Sequence, residues 1–169
     1  EKLESAQEAV EETIRFVRER FYHQLVGEGL AYDAVDAVLE AGFDDVQDVV
    51  RRAQALTDLK ASPELEPVAT GFKRAANILA KAPADDLGAV LDAGSFVDDA
   101  EKALHKVAVD VASRVQETAT QKQWSEALGQ VVHLAAPIDT FYDAVMVMDK
   151  EDSLRRNRLA LLAEVVSIF

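Results

Sequence analysis

The sequence contains no cysteine in its 169 residues, which excludes disulfide bonds, thiolate zinc sites and cysteine nucleophiles. Glycine and proline are also scarce, with seven and four residues respectively, so few positions interrupt regular secondary structure. No apolar run reaches the roughly 18 residues that a membrane-spanning helix requires. Residues 1–4 have neither the basic nor the apolar region of a signal peptide. These absences predict a cytoplasmic protein that does not insert into a membrane.

Positive charge is scarce as well, because 18 lysines and arginines stand against 31 aspartates and glutamates, for a formal net charge of −13. Phosphate binding depends on lysine and arginine side chains that displace counterions, so this balance argues against general affinity for nucleic acid or anionic membranes. The acidic excess is greatest in residues 1–60, where 14 acidic side chains accompany 7 basic ones. A basic cluster elsewhere in the chain therefore needs an explanation.

A helical pattern runs along almost the whole length of the sequence. Apolar residues recur three and four positions apart, the spacing that places them on one face of an α-helix, and no strand pattern competes. We predict an all-α fold, a helical bundle of about seven helices. The expected helices span residues 5–25, 32–41, 44–60, 62–81, 97–118, 124–136 continuing as 138–148 after a break or kink at Pro137, and 151–168.

The same pattern predicts how the chain is organised. The first helix has four apolar residues on one face, which are Val10, Ile14, Val17 and Phe21. Gly94 and Ser95 mark the best internal boundary of this pattern, so two halves are conceivable. The alternative is that all the helices pack as one compact unit. Because the chain begins with Glu1 rather than methionine, we expect a piece of a longer protein.

Known catalytic and metal-binding patterns are missing from the sequence. His23, His105 and His133 lie in different expected helices without a second ligand at helical spacing, so we predict no metal site. The phosphate-loop pattern GxxxxGK[ST], the dinucleotide pattern GxGxxG and the nucleophile-elbow pattern GxSxG do not occur. Pairs such as Asp139 and Asp143 arise by chance in an acidic helical protein. We therefore predict no catalytic residues.

A basic stripe stands out on the fourth expected helix. Lys73, Asn77 and Lys81 follow each other at steps of four, with Arg74 beside them, so they lie on one helical face. Such a stripe can hold phosphate groups or the edge of a base. The alternative is an ordinary solvated face on which Arg74 or Lys73 pairs with a neighbouring aspartate.

A second basic group lies on the last expected helix, whose apolar arc consists of Leu154, Leu161, Leu162, Val165 and Ile168. Arg158 lies near the centre of this arc, and a buried guanidinium needs an acidic partner. The neighbouring helix offers Asp139 and Asp143. We therefore expect a structural ion pair between Arg158 and one of these carboxylates, with Arg155 as a second anchor and Arg156 directed to solvent.

Four strings carry a resemblance to a known family. They are YDAVDAVLEAG at residues 32–42, FKRAANIL at 72–79, FYDAVMVM at 141–148 and LRRNRLALL at 154–162. In this order they resemble the C-terminal region of the bacterial glycyl-tRNA synthetase beta subunit, and the resemblance covers essentially the whole chain. That region includes a helical anticodon-binding domain similar to the one of arginyl-tRNA synthetase.

The resemblance implies a division of labour between two kinds of subunit in a heterotetramer. The alpha subunit holds the aminoacylation site for glycine and uses ATP and magnesium, while the beta subunit supplies tRNA binding. This chain would then need no cofactor of its own and would have no ligase activity in isolation. Residues 1–60 would link to the rest of the beta subunit, and residues 61–169 would form the anticodon-binding-like bundle.

The resemblance also implies partners and contact residues. The expected partners are glycine tRNA, the alpha subunit and the remainder of the beta subunit, with no membrane. When the anticodon-recognising role is carried onto this sequence, the candidate tRNA contacts are Lys73, Arg74, Asn77, Lys81, Arg155, Arg156 and Asn157. The alternative is a module that packs against other parts of the synthetase and touches RNA little.

Overall fold

A computed structural model describes the backbone of residues 2–168 and the side chains of residues 6–168. Within this range the chain forms helices joined by short connections and contains no strand, so the expected all-α fold is confirmed. The eight α-helices are α1 (Lys2–Gly27), α2 (Tyr32–Glu40), α3 (Val46–Ala61), α4 (Leu65–Lys81), α5 (Asp99–Thr120), α6 (Trp124–Val131), α7 (Ala135–Ala144) and α8 (Asp152–Val166). Short 3₁₀ turns lie at Ala84–Asp86, Ala93–Ser95 and Val132–Leu134.

The helices form two compact units, Glu1–Ala61 and Ser62–Phe169. The N-terminal unit holds α1 to α3 and the C-terminal unit holds α4 to α8. None of the helices described in residues 2–168 combines the length and the apolar character needed to cross a membrane.

The N-terminal unit has its core where α1, α2 and α3 meet. Leu25 of α1, Val35 of α2 and Val49 of α3 are fully buried there. The turns between the helices contain Gly29 and Gly42, with φ angles of +98° and +123°. Residues with a Cβ rarely adopt such φ angles. These glycines therefore permit the tight reversals that bring the three helices together.

The N-terminal part of α1 exposes apolar side chains. Val10, Ile14, Phe16 and Val17 are 57, 49, 56 and 49% exposed, respectively. Phe21, one turn further along, packs against the core. The apolar face expected for the first helix is therefore buried only toward its C-terminal end, and the remainder is a candidate contact surface for another chain or segment.

The C-terminal unit packs α4, α5, α7 and α8 around a single hydrophobic cluster. Gly71 allows α4 to approach α7 closely, since a Cβ at this position would lie only 2.5 Å from Cγ2 of Ile138. The Tyr142 hydroxyl of α7 donates a hydrogen bond to the Gly71 carbonyl at 3.3 Å. The fully buried members of the cluster include Val68, Leu104, Ala108, Leu134, Phe141, Leu161, Leu162 and Val165.

A capping box starts α5. The Asp98 side chain accepts a hydrogen bond from the Ala100 N–H at 2.8 Å. In return, Oε2 of Glu101 accepts the backbone N–H groups of Val97 and Asp98, each at 2.8 Å. Such reciprocal bonds satisfy donors that a helix start leaves unpaired. Glu101 is only 1% exposed, so the cap places a carboxylate inside the C-terminal unit.

The chain around Pro137 departs from the expected break. The turn occurs earlier, at Val132–Leu134, and Pro137 is the third residue of α7, where its missing N–H would have had no partner within the helix. The helix then ends at Ala144 instead of Met148.

The residues after α7 are not helical, Val145 is extended, and the burial of the side chains alternates. Val145 and Val147 are each 6% exposed, whereas Met146 and Met148 are 72% and 45% exposed. The expected helix over residues 145–148 is therefore wrong, because the chain leaves helical geometry at Val145 and buries the side chains of Val145 and Val147 in the core.

Candidate nucleic-acid interface

The basic stripe of α4 lines one open groove on the C-terminal unit. Lys73, Arg74, Asn77 and Lys81 are all exposed, and they surround a space of about 480 Å³. Known ligand pockets have volumes of about 300–1,000 Å³. We call this site the α4 groove, and its lining consists of Thr70, Lys73, Arg74, Asn77, Ile78, Lys81 and Met148.

The packing of α4 explains why these side chains face outward together. Val68, Gly71 and Ala75 form the buried face of the helix, so the row at steps of four from Lys73 lies on another side. Lys81 is in the last helical turn, where the carbonyl end of the helix favours positive charge. The stripe inferred from the sequence is thus a continuous surface.

Arg74 is held by an aromatic ring rather than by a carboxylate. Its guanidinium carbon lies 4.0 Å from the ring centroid of Tyr142, within the range of a cation–π contact. Burial raises the pKa of Tyr142 to about 12, and the nearby charge of Arg74 opposes this only in part. The phenol therefore stays neutral at physiological pH and leaves the charge of Arg74 uncompensated.

Lys73 and Lys81 lack an acidic partner among the residues whose side chains are described. No carboxylate in that part of the chain lies within 4 Å of either ammonium group, and the same holds for Arg74. The alternative of an ordinary face with Lys73 or Arg74 paired to an aspartate does not match this arrangement. Three positive charges are consequently available to a ligand in the groove.

The second basic group has a different environment. We call Arg155, Arg156 and Asn157 the α8 cluster. Arg155 donates to both carboxylate oxygens of Asp86, from Nε at 2.7 Å and from Nη2 at 3.2 Å, and Nε of Arg156 donates to the same carboxylate at 3.1 Å. Asp86 is 4% exposed. The hydrogen bonds from the two arginines hold the pKa of Asp86 below its usual value.

The Asn157 side chain stabilises the fold through hydrogen bonds to the backbone of Asp92. Its Oδ1 accepts the Asp92 N–H at 2.8 Å, and its Nδ2 donates to the Asp92 carbonyl at 3.0 Å. The residue is 8% exposed. These bonds engage the amide that a base would have to reach, so the Asn157 side chain stabilises the fold, and its RNA contact stays a prediction. Within the α8 cluster, Arg156 has the most exposed side chain, at 47%.

Arg158 is buried and paired, but with other carboxylates than expected. Its Nε donates to Oε1 of Glu101 at 2.7 Å and its Nη1 to Oδ2 of Asp149 at 2.8 Å. Burial alone lowers the pKa of Arg158, but these hydrogen bonds outweigh burial and raise it. The expected partners Asp139 and Asp143 are wrong, because both lie on the exposed side of α7.

The sequence contained a signal for Glu101, one of the two carboxylate partners of Arg158. Asp98 and Glu101 have the D-x-x-E spacing of a capping box before an apolar helix, and the cap turns the second carboxyl oxygen of Glu101 toward Arg158. Asp149 could not have been found in this way, since the sequence pattern placed it just after a helix that in fact ends at Ala144.

The histidines do not come together in a site. His23 and His133 are exposed, and His105 is partly buried beside Phe96, with the two ring centroids 5.5 Å apart. Within the described residues, no group of three histidines, aspartates or glutamates is arranged to hold a metal ion. The α4 groove brings Lys73, Arg74, Asn77 and Lys81 to one place, and this set is suited to binding an anionic, partly apolar ligand.

Comparison with known proteins defines the class of this helical bundle. Residues 68–169, more than half of the chain, match the DALR anticodon binding domain. The chain therefore belongs to the DALR anticodon-binding-domain family. The matched region contains the α4 groove, the α8 cluster and the Arg158 ion pairs.

Individual relatives extend the similarity to the whole chain. This chain is 40% identical to the glycine–tRNA ligase beta subunit of Acidobacterium capsulatum over 99% of the chain. It is 36% identical to the beta subunit of Syntrophus aciditrophicus over 100% of the chain. These alignments cover 25% and 24% of the two relatives, so the chain spans about a quarter of their length. The resemblance inferred from the four sequence strings is confirmed.

Proposed function

We propose that this chain is a tRNA-binding module of a glycine–tRNA ligase beta subunit, and that its α4 groove contacts the anticodon loop of glycine tRNA. The observation that carries the proposal is the convergence of Lys73, Arg74 and Lys81 on one groove without a carboxylate partner in the described residues. Membership of an anticodon-binding family supports RNA as the ligand. Aminoacylation itself would belong to an alpha subunit that binds glycine, ATP and magnesium.

Each side of the groove suits a different part of a single-stranded nucleotide. Lys73 and Lys81 can neutralise phosphate groups, and the Asn77 amide has both a donor and an acceptor for a base edge. Ile78 and Met148 supply apolar surface on which an unstacked base can lie. Arg74 can stack on a base or bind phosphate while remaining over Tyr142.

The binding experiment compares variants that remove one positive charge each. Lys73→Ala and Lys81→Ala should each weaken binding of the glycine tRNA anticodon stem-loop and reduce the slope of log K against log salt by about one. The matched control is Lys106→Ala, which removes an exposed lysine of α5 outside the groove. Fluorescence anisotropy across a salt series measures both quantities. An equal effect of all three variants would contradict the proposal.

A second function is favoured by the exposed apolar row of α1. We propose that Val10, Ile14 and Val17 pack against a further helical segment of the beta subunit, so that the N-terminal unit links the tRNA-binding unit to the rest of the enzyme. Their spacing of four and three residues forms a seam on one helical face. The relatives are about four times as long as this chain, and such an additional segment could cover the seam.

Polar substitutions distinguish this linking role from RNA binding. Ile14→Ser with Val17→Ser, made in a complete beta subunit, should lower thermal stability and impair tRNA charging after mixing with the alpha subunit. The same double variant in the present chain should leave stem-loop binding unchanged. Val109→Ser is the control, because Val109 is 50% exposed on α5. If the double variant behaves like this control in the complete subunit, the α1 seam is not an interface.

A further inference from the structure

We propose that Arg158 is a positioning residue that sets the shape of the α4 groove by holding Met148 in place. The inference rests on the proposed function only where it concerns RNA affinity. Residues 145–151, which connect α7 to α8, are called the Met148 loop. Met148 is the residue by which this loop lines the groove.

Arg158 is hydrogen-bonded to the Met148 loop both before and after Met148. Its Nη1 donates to the Met146 carbonyl at 3.0 Å and to the Asp149 carboxylate at 2.8 Å. Arg155 adds a third bond, from its Nη1 to the Asp149 carbonyl at 2.9 Å. The residues before and after Met148 are thus tied to α8, and the backbone of Met148 has little freedom between them.

The same guanidinium group is also fixed to α5. Its Nε is bound to Glu101, whose other oxygen caps α5, and Arg158 is only 7% exposed. A guanidinium with donors in a fixed planar geometry can serve both carboxylates at once, which a lysine cannot do. Arg158 is consequently too buried to contact RNA, yet its hydrogen bonds determine where one wall of the groove stands.

Methionine provides a direct probe of this arrangement. The chain contains two methionines, and both belong to the Met148 loop. In protein labelled with ¹³C at the methionine methyl groups, Asp149→Asn should shift and sharpen the Met148 signal toward that of an unstructured peptide. Arg158→Lys, which keeps the charge, should have the same effect. Asp139→Asn is the control with an identical change of charge on the exposed side of α7.

RNA binding then tests the consequence for the groove. Asp149→Asn should weaken stem-loop binding about fivefold in the natural sequence, and by less than about twofold in a Met148→Ala background. An equal loss in both backgrounds, or an unchanged Met148 signal in both variants, overturns the positioning role. If the Met148 signal moves while Met148→Ala and Lys73→Ala bind RNA normally, the positioning role stands and the assignment of the groove to RNA fails.

Discussion

The α4 groove and the α8 cluster are both basic, yet they differ in what surrounds them. In the α4 groove, Lys73 and Lys81 are exposed and lie near no carboxylate in the described part of the chain. In the α8 cluster, Arg155 is bound to the buried Asp86. The difference shows that a basic string in a sequence has two possible uses. A cation near a buried carboxylate stabilises the fold, and one without such a partner is available to a ligand.

The largest effect is expected at the most deeply paired arginine. Arg158→Ala removes the partner of Glu101 in the core, and such a loss costs about 3–5 kcal/mol of stability. Arg156→Ala should cost much less, because that side chain is 47% exposed and Asp86 keeps both of its hydrogen bonds from Arg155. Urea unfolding of both variants measures the difference. Similar losses would mean that burial does not separate these two arginines.

The next effect concerns the packing beneath the α4 groove. Gly71→Ala places a methyl group 2.5 Å from Cγ2 of the buried Ile138, and overpacking of this kind costs about 1–3 kcal/mol. Gly129→Ala in α6 is the matched control, since nothing lies within 4 Å of its Cβ position. That substitution should stabilise the helix by up to about 1 kcal/mol. Opposite signs in thermal unfolding are expected, and equal signs would refute the close-packing argument.

Removing charge from the two basic groups should separate binding from stability. Lys73→Ala combined with Lys81→Ala is expected to weaken stem-loop binding roughly tenfold at low salt and to leave the melting temperature unchanged. Arg155→Ala should lower the melting temperature, since its guanidinium is bound to Asp86. It should weaken binding less than the double lysine variant, because it contributes only one bond to the Met148 loop. Parallel anisotropy and calorimetry on the same protein samples test this. A stability loss in the lysine variant would place those side chains in the fold.

The smallest effect is a difference in acid stability. Arginine hydrogen bonds lower the pKa of Asp86, and hydrogen bonds from the Glu151 N–H and then Arg158 lower that of Asp149, in both cases below the usual 3.8. A carboxyl group with a lowered folded-state pKa stabilises the fold above its unfolded pKa of about 3.9, and the benefit is lost as the pH falls through the folded value. As the pH is lowered from about 6 to about 3, the urea midpoint should fall less steeply for Asp86→Asn than for the unchanged protein. Lys73→Ala should follow the unchanged protein.

Much of the fold and part of the candidate site were predictable from local patterns. The spacing of apolar residues located α5 and α8 to within a few residues, because a helix repeats every 3.6 residues whatever it packs against. The same regularity placed Lys73, Asn77 and Lys81 in one row. The Met148 loop was not predictable in this way, since the chain leaves the helix at Val145 to bury Val145 and Val147 in a core built by other helices.

By itself, the sequence determined the helical class, the α4 stripe and the family resemblance, because each depends on residues that are close together along the chain. Only the tertiary structure decided which charges remain available. The partners Asp86 and Arg155 are 69 residues apart, and Glu101 and Arg158 are 57 apart. Helix propensity and periodicity contain no information about such distances. Packing brought these carboxylates to α8, and in the described residues it brought none to Lys73 or Lys81, which is why the two basic groups differ.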